Sequence, residues 1–161
     1  MNARVAVLIA STLYLERMRE ATGVLRELGV PVTERGLSAH RTPDETAEFA
    51  RRARENGFAA IVCGASRAAH VAGLVAAHTT LPVIGVPMSG GTLGGVDALC
   101  STAAMPAGFP VATVGIDDAR NAGLLAAQIV AHGDPAVRAN LDRYRERMRR
   151  RGAEIDAQLV R

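Results

Sequence analysis

Lysine is absent from this sequence of 161 residues, in which all 19 basic residues are arginine. Schiff-base enzymes, pyridoxal phosphate enzymes, P-loop nucleotidases and carriers of covalently bound biotin each depend on a lysine side chain. The sequence therefore excludes these four classes of protein.

Cysteine and long apolar runs are also scarce. Cys63 and Cys100 lie in apolar segments without a CxxC motif or a histidine cluster, which indicates buried, reduced thiols rather than a disulfide or a zinc site. No apolar run approaches the roughly 20 residues that a membrane span needs. The first residues do not follow the pattern of a signal peptide. We therefore expect a cytoplasmic protein with no membrane partner.

The length and composition are typical of one globular domain. Hydrophobic residues make up 48% of the chain and charged residues 22%. We find no internal repeat and no low-complexity linker. A single domain over residues 1–161 is the resulting prediction.

Arginines are concentrated between Arg143 and Arg151. Acidic residues are interleaved with them on the same predicted helix, which favours a solvated helix face or a subunit interface over nucleic-acid binding. We expect no nucleic-acid partner.

Apolar segments of strand length alternate with amphipathic helical segments. The predicted strands are at 4–10, 30–37, 58–65, 81–87 and 109–116, and the predicted helices at 15–29, 43–57, 68–79, 121–131 and about 135–160. Thr42 is the predicted N-cap of the second helix, with Pro43 as its first residue. The pattern predicts an α/β fold with a central parallel sheet and helices on both faces. The last helix extends to a neighbouring subunit or packs on its own domain.

The least ordinary residues follow the predicted strands, where parallel sheets bind ligands. His40 and Arg41 lie beside Ser38 at the start of a helix. An arginine and a helix N-terminus both favour an anion, and an imidazole can transfer a proton. This turn predicts proton transfer on an anionic small molecule.

Two further turns are candidates for ligand contact. Residues 64–69 are small except for Arg67 and lead to His70, which indicates close approach of a ligand to the backbone or a tight turn that His70 caps. The glycine-rich segment 87–95 predicts a loop that moves or contacts a ligand. His78 and His132 are interpreted as structural, and the scattered histidines predict no metal site.

Several of these segments together resemble the aminoimidazole ribonucleotide carboxylase family and, within it, the bacterial mutases of purine synthesis. The resemblance runs through "SAHRTPD" at 38–44, residues 64–73, "LPVIGVP" at 81–87, "MPAGFPVATVGI" at 105–116 and "NAGLLAAQI" at 121–129.

The resemblance implies a flavodoxin-like three-layer sandwich, a homo-octamer with the C-terminal helix reaching between subunits, and no cofactor. It implies an enzyme that moves a carboxylate, through CO2, from an exocyclic nitrogen of a small-molecule substrate to a ring carbon. His40 and His70 match the family's catalytic histidines, and Arg41 matches its phosphate-contacting arginine. The other residues predicted to bind the substrate, from their positions in these motifs, are Ser11, Ser38, Ala39, Gly64, Ala65, Ser66, Arg67, Ala68 and Ala69.

The chain departs from the family pattern at three places. Leu13 and Tyr14 replace a hydroxyl and a carboxylate, Ser66 and Arg67 replace two glycines, and residues 89–94 differ in the loop that follows. Three functions are therefore open: the purine mutase, a carboxylase or decarboxylase of a different small amine, carbamate or heterocycle, and a non-catalytic ligand-binding protein.

Overall fold

The computed structural model of the chain describes residues 3–160. Its centre is a parallel sheet of five strands: β1 (Arg4–Ile9), β2 (Val32–Arg35), β3 (Phe58–Ala65), β4 (Val83–Pro87) and β5 (Ala112–Thr113). The helices are α1 (Leu15–Glu27), α2 (Pro43–Arg52), α3 (His70–Ala76), α4 (Val96–Ala103), α5 (Ala119–Ala131) and α6 (Pro135–Leu159). One turn of 3-10 helix at Thr12–Tyr14 precedes α1.

The strand order is β2-β1-β3-β4-β5, the flavodoxin order, with every neighbouring pair parallel. The chain direction across the sheet reverses between β1 and β3, and Ile9 of β1 pairs with Gly64 of β3 at the carboxyl edge. Sheets of this order bind ligands at that reversal. The loops after β1 and β3 are therefore the expected ligand-binding loops of this fold.

Helices cover both faces of the sheet, which makes three layers. Because side chains of a strand alternate between faces, Val5, Val7 and Ile9 of β1 pack on the layer that contains α1, α5 and α6. Ala6 and Leu8 pack on the layer that contains α2, α3 and α4. The predicted α/β sandwich with a central parallel sheet is confirmed.

Some predicted boundaries were wrong. β2 and β5 are shorter than predicted, and α2 ends at Arg52, because residues 53–57 form a turn in which Gly57 adopts a left-handed backbone conformation with a φ of 79°. The helix α4 was not predicted. It is only 8 residues long and buries two of them, Ala98 and Thr102, so its amphipathic signal is weak.

The last helix, α6, has two different halves. Val137, Leu141 and Tyr144 in the first half are buried against the domain, whereas Met148 and Ile155 in the second half are 50% and 59% exposed. The first half thus packs on its own domain, and contact of the second half with a neighbouring subunit stays a prediction. Within residues 3–160, no helix is both long and apolar enough to cross a membrane.

Candidate active site

The turn between β2 and α2 is organised by Ser38. The Ser38 hydroxyl oxygen accepts hydrogen bonds from the backbone N–H groups of His40, at 3.4 Å, and Arg41, at 3.3 Å. The Ser38 N–H donates in turn to the Thr42 hydroxyl oxygen at 2.9 Å. The expected N-cap hydrogen bond of Thr42 is absent from the start of α2. The Thr42 side chain instead holds the turn that carries the histidine.

Arg41 joins this turn to the end of β1. Its guanidinium donates to the backbone carbonyl oxygen of Ala10, the residue after β1. This contact brings a positive charge to the reversal point between β1 and β3. Arg41 remains exposed, so its other N–H groups can bind an anion.

The turn between β3 and α3 has an unusual backbone. Arg67 and Ala69 adopt left-handed conformations, with φ values of 57° and 44°. Left-handed conformations cost residues other than glycine about 1–2 kcal/mol each and are concentrated at functional sites. The Ala69 N–H closes the turn on the Ser66 carbonyl at 3.0 Å, and α3 then begins at His70.

The rings of His40 and His70 meet edge to face, with their centroids 5.0 Å apart and their planes at 84°. Two cavities share this pair. One, of about 380 Å³, extends to Arg41, Ser66 and Arg67. The other, of about 470 Å³, extends to the apolar side chains of Leu74 and Met105. The imidazoles therefore lie between a charged chamber and a largely apolar one.

The charged chamber collects the predicted site residues, apart from one. It is lined by Ser11, Ser38, Ala39, His40, Arg41, Ala65, Ser66, Arg67, Ala68, Ala69 and His70. Gly64 does not line it and faces α1, where a Cβ atom would lie 2.3 Å from the sulfur of Met18. Packing against Met18 therefore explains the glycine at position 64.

Leu13 and Tyr14, which depart from the family pattern, also line the charged chamber. The Tyr14 hydroxyl donates a 2.5 Å hydrogen bond to the hydroxyl oxygen of Ser66. Leu13 and Tyr14 both follow β1 directly, where the family pattern has a hydroxyl and a carboxylate, and that departure was the sequence signal for their position in the chamber.

The glycine-rich loop after β4 is anchored at Ser89. The N–H and hydroxyl groups of Ser89 both donate to the carboxylate of Asp117, which also pairs with Arg17 of α1. Gly90 and Gly91 then pass close to Ser66 and Arg67. The contribution of this loop to ligand contact stays a prediction.

The two cysteines differ. Cys63 is buried in β3, and desolvation raises the pKa of its thiol far above the ordinary value. Cys100 of α4 is exposed, so the prediction of burial was wrong for this residue. Its exposure arises because α4 buries only a narrow face.

In residues 3–160, no three His, Cys, Asp or Glu side chains are grouped as metal ligands.

A larger cavity, of about 1080 Å³, lies at the opposite edge of the sheet, near the amino ends of β4 and β5. His78 is part of its lining, together with Arg51 and Arg54. None of the predicted site residues borders it. The paired histidines, and not this cavity, are therefore the candidate active site.

Comparison with known proteins identifies the family of the chain. The sequence profile of the family described as AIR carboxylase matches residues 4–151. The chain belongs to the AIR carboxylase family. The family predicted from the sequence motifs is confirmed. The prediction that the protein is an enzyme of that family is also confirmed, since the relatives are named as enzymes.

Curated relatives of this AIR carboxylase family member share nearly half of its residues. N5-carboxyaminoimidazole ribonucleotide mutase of Bacillus subtilis is 46% identical, over 99% of this chain and 100% of its own length. The enzyme of the same name from Haemophilus influenzae is 48% identical over 90% of each chain.

Solved structures support the fold. Crystal structures of Treponema denticola PurE and of a variant of Treponema denticola PurE2 superpose with TM-scores of 0.89 and 0.90. They cover 99% and 100% of both chains, at 24% and 23% sequence identity. The flavodoxin-like fold predicted from the sequence is thereby confirmed.

Proposed function

We propose that this protein is a carboxyl-moving mutase that acts on N5-carboxyaminoimidazole ribonucleotide, with His40 as the general acid and base. The observation that carries the proposal is the His40–His70 pair, whose rings are 5.0 Å apart between the two cavities. Relatives that carry the name of this mutase over the full chain length support the choice of substrate.

The proposed reaction is an isomerisation. The bond between the exocyclic nitrogen and its carboxylate carbon breaks, the electron pair stays on nitrogen, and CO2 is released within the site. The ring carbon then attacks CO2 and forms the new carbon–carbon bond. His40 removes the proton from that ring carbon, and the exocyclic nitrogen gains a proton. All atoms of the substrate are conserved.

The apolar cavity suits the CO2 intermediate. Uncharged CO2 gains little from water, and the side chains of Leu74 and Met105 line the space next to the imidazoles. Retention of CO2 beside the ring carbon replaces a bimolecular carboxylation by a local step and limits hydration.

The charged chamber suits the phosphate of the ribonucleotide. Arg41 supplies a guanidinium, and the hydroxyl groups of Ser11 and Ser38 are oriented by backbone N–H groups that donate to their oxygens. Each hydroxyl keeps its own proton to donate to a phosphate oxygen. In this proposal His70, whose ring meets that of His40 edge to face, holds the orientation of His40.

Replacement of the base tests this proposal. We expect His40→Asn to lower kcat by about 10²- to 10⁴-fold, since it removes the proton-transfer group and keeps a side chain of similar size. Conversion of the N-carboxylated to the ring-carboxylated ribonucleotide is measured with each purified protein. His132→Asn is the matched control, because His132 is exposed at the end of α5. Unchanged turnover by folded His40→Asn would remove His40 from the mechanism.

A second candidate function is carboxyl transfer on a different small amine, carbamate or heterocycle. It is favoured by the altered lining of the charged chamber, in which Tyr14 and Ser66 are joined. Complementation of a bacterium that lacks the purine mutase separates the two candidates. Growth supports the ribonucleotide, and failure with assembled, folded protein supports the other substrate. A non-catalytic ligand-binding protein would turn over neither substrate.

We further propose that the protein assembles as a homo-octamer in which the second half of α6 contacts a neighbouring subunit. The exposed apolar side chains Met148 and Ile155 support an interface there. A cytoplasmic location accords with a small-molecule enzyme of this family and stays a prediction.

A further inference from the structure

Three loops meet on one side of the charged chamber. Tyr14 follows β1, Ser66 follows β3, and Gly90 follows β4. The Tyr14 hydroxyl donates to the Ser66 hydroxyl oxygen at 2.5 Å, across 52 positions of sequence. Since Ser66 accepts from Tyr14, its own proton is left to donate to a ligand.

Gly90 provides the space for this contact. A Cβ atom at position 90 would lie 2.5 Å from the Tyr14 hydroxyl oxygen and 3.1 Å from the Ser66 Cβ. Gly90 does not have a positive φ, so its backbone conformation is open to other residues. The glycine is therefore needed for space, and the space is occupied by the hydrogen bond between Tyr14 and Ser66.

Arg67 adds a charge next to this hydroxyl. Its left-handed backbone, at a φ of 57°, follows Ser66 directly, and its side chain is exposed. Among residues 3–160, Arg67 has no hydrogen-bond or ion-pair partner, although Asp97 also borders Gly91. No Asp or Glu from that part of the chain lines the charged chamber, whereas Arg41 and Arg67 both do.

We propose that Ser66 and Arg67 form a second anion-binding subsite and that Tyr14 positions the Ser66 hydroxyl within it. Arg41 follows β2 and Arg67 follows β3, the two neighbours of β1, so the chamber carries one arginine on each side. The subsite takes a phosphate or carboxylate oxygen, and the chamber as a whole selects a substrate with two anionic groups. The assignment rests on the proposed function, because an N-carboxylated ribonucleotide carries a phosphate and a carboxylate.

Calorimetric titration with two ligands tests the subsite and identifies its anion. 5-Aminoimidazole ribonucleotide carries only the phosphate, and its ring-carboxylated form carries both anions. We expect Arg67→Gln to weaken binding of the carboxylated ligand about tenfold or more, as is usual for a charged hydrogen bond. Equal weakening for both ligands assigns the phosphate to Arg67, and weakening for the carboxylated ligand alone assigns the carboxylate. Arg52→Gln is the control, since Arg52 is exposed on α2 and outside the chamber.

The positioning role of Tyr14 is tested by kinetics. We expect Tyr14→Phe to raise KM about 3- to 10-fold and to keep kcat within about twofold of the wild-type value. The substitution retains the aromatic ring and removes only the hydroxyl that donates to Ser66. Gly90→Ala should have the same effect, and the double variant should be no worse than either single variant, because both remove one contact. Tyr144→Phe and Gly133→Ala are the controls, as both positions lie outside the site.

Two results would overturn the subsite. One is binding of both ligands by Arg67→Gln within twofold of Arg52→Gln, and the other is an unchanged KM in Tyr14→Phe. If the wild-type protein neither binds nor converts the ribonucleotide, the proposed function fails instead. Inorganic phosphate and malonate then serve as probes, and the subsite stands only if Arg67→Gln weakens the binding of at least one of them.

Discussion

Gly64 illustrates how a residue in a functional motif can have a structural role. It belongs to the segment that resembles the family's ligand-binding turn. The space that a Cβ atom would occupy at this position is nevertheless filled by the buried side chain of Met18. The same segment contains Ser66 and Arg67, which do line the chamber. The spacing of small residues in the sequence identified the turn after β3. That Gly64 faces α1, rather than the chamber, depends on how α1 packs on the sheet in the folded protein.

Replacement of this glycine should destabilise the fold. In Gly64→Ala the new methyl group would lie 2.3 Å from the Met18 sulfur, and Met18 is fully buried. We expect the free energy of unfolding to fall by about 1–3 kcal/mol, as for an overpacked core. Urea denaturation measures the change. Gly152→Ala is the control, because position 152 lies in α6 with open space around it. Equal midpoints for Gly64→Ala and the wild-type protein would contradict the packing argument.

The two thiols should react differently. Alkylation requires access and the thiolate form. Cys63 is buried and its thiol pKa is raised by desolvation, whereas Cys100 is exposed. We expect iodoacetamide to modify Cys100 in the native protein and Cys63 only after unfolding, as measured by mass spectrometry of peptides. Modification of both at equal rates in the native protein would show that β3 opens readily.

At the level of elements, the strongly patterned segments were predicted well. β3 was predicted at the observed bounds, since its eight residues are buried on both faces and flanked by turns. β5 was predicted at eight residues and has two, because it lies at an edge and pairs only with β4. The length of an edge strand such as β5 therefore depends more on its pairing with the neighbouring strand than on the apolar content of its sequence.

The start of α6 depends on a side chain. Asp134 accepts hydrogen bonds from the N–H groups of Ala136, at 2.9 Å, and Val137, at 3.2 Å. We expect Asp134→Ala to lower the free energy of unfolding by about 0.5–2 kcal/mol, since two N–H groups lose their acceptor. The control is Asp142→Ala, an exposed position further along the helix. Thermal denaturation followed by circular dichroism compares the two, and an equal loss in both would exclude a capping role.

At the scale of the whole molecule, α6 is a helix of which only the first half is buried against the domain. Its apolar stripe runs from Val137 through Leu141 and Tyr144, which are buried, to Met148 and Ile155, which are exposed. Asn140 and Arg147 bind the first part to α1 through the Leu28 carbonyl and Glu27. The stripe thus continues beyond the surface that its own domain can cover.

Self-association should therefore depend on this second half. We expect the wild-type protein to sediment as an octamer and a Met148→Ser, Ile155→Ser double variant to sediment as smaller species, since it loses apolar area at the interface. Sedimentation velocity measures the change. Arg145→Ser is the control, because Arg145 is exposed on the same helix. A monomeric wild-type protein, or an unchanged double variant, would contradict the assembly.

The sequence by itself determined the layered fold and the position of the reactive residues along it. Hydrophobic periodicity and turn residues act over a few positions, and parallel strands bring the residues that follow them to one edge. Only the tertiary structure decided which of those residues meet: His40 with His70, Tyr14 with Ser66, and Gly64 with Met18. These contacts join distant parts of the chain, so they depend on strand order, register and the space between loops.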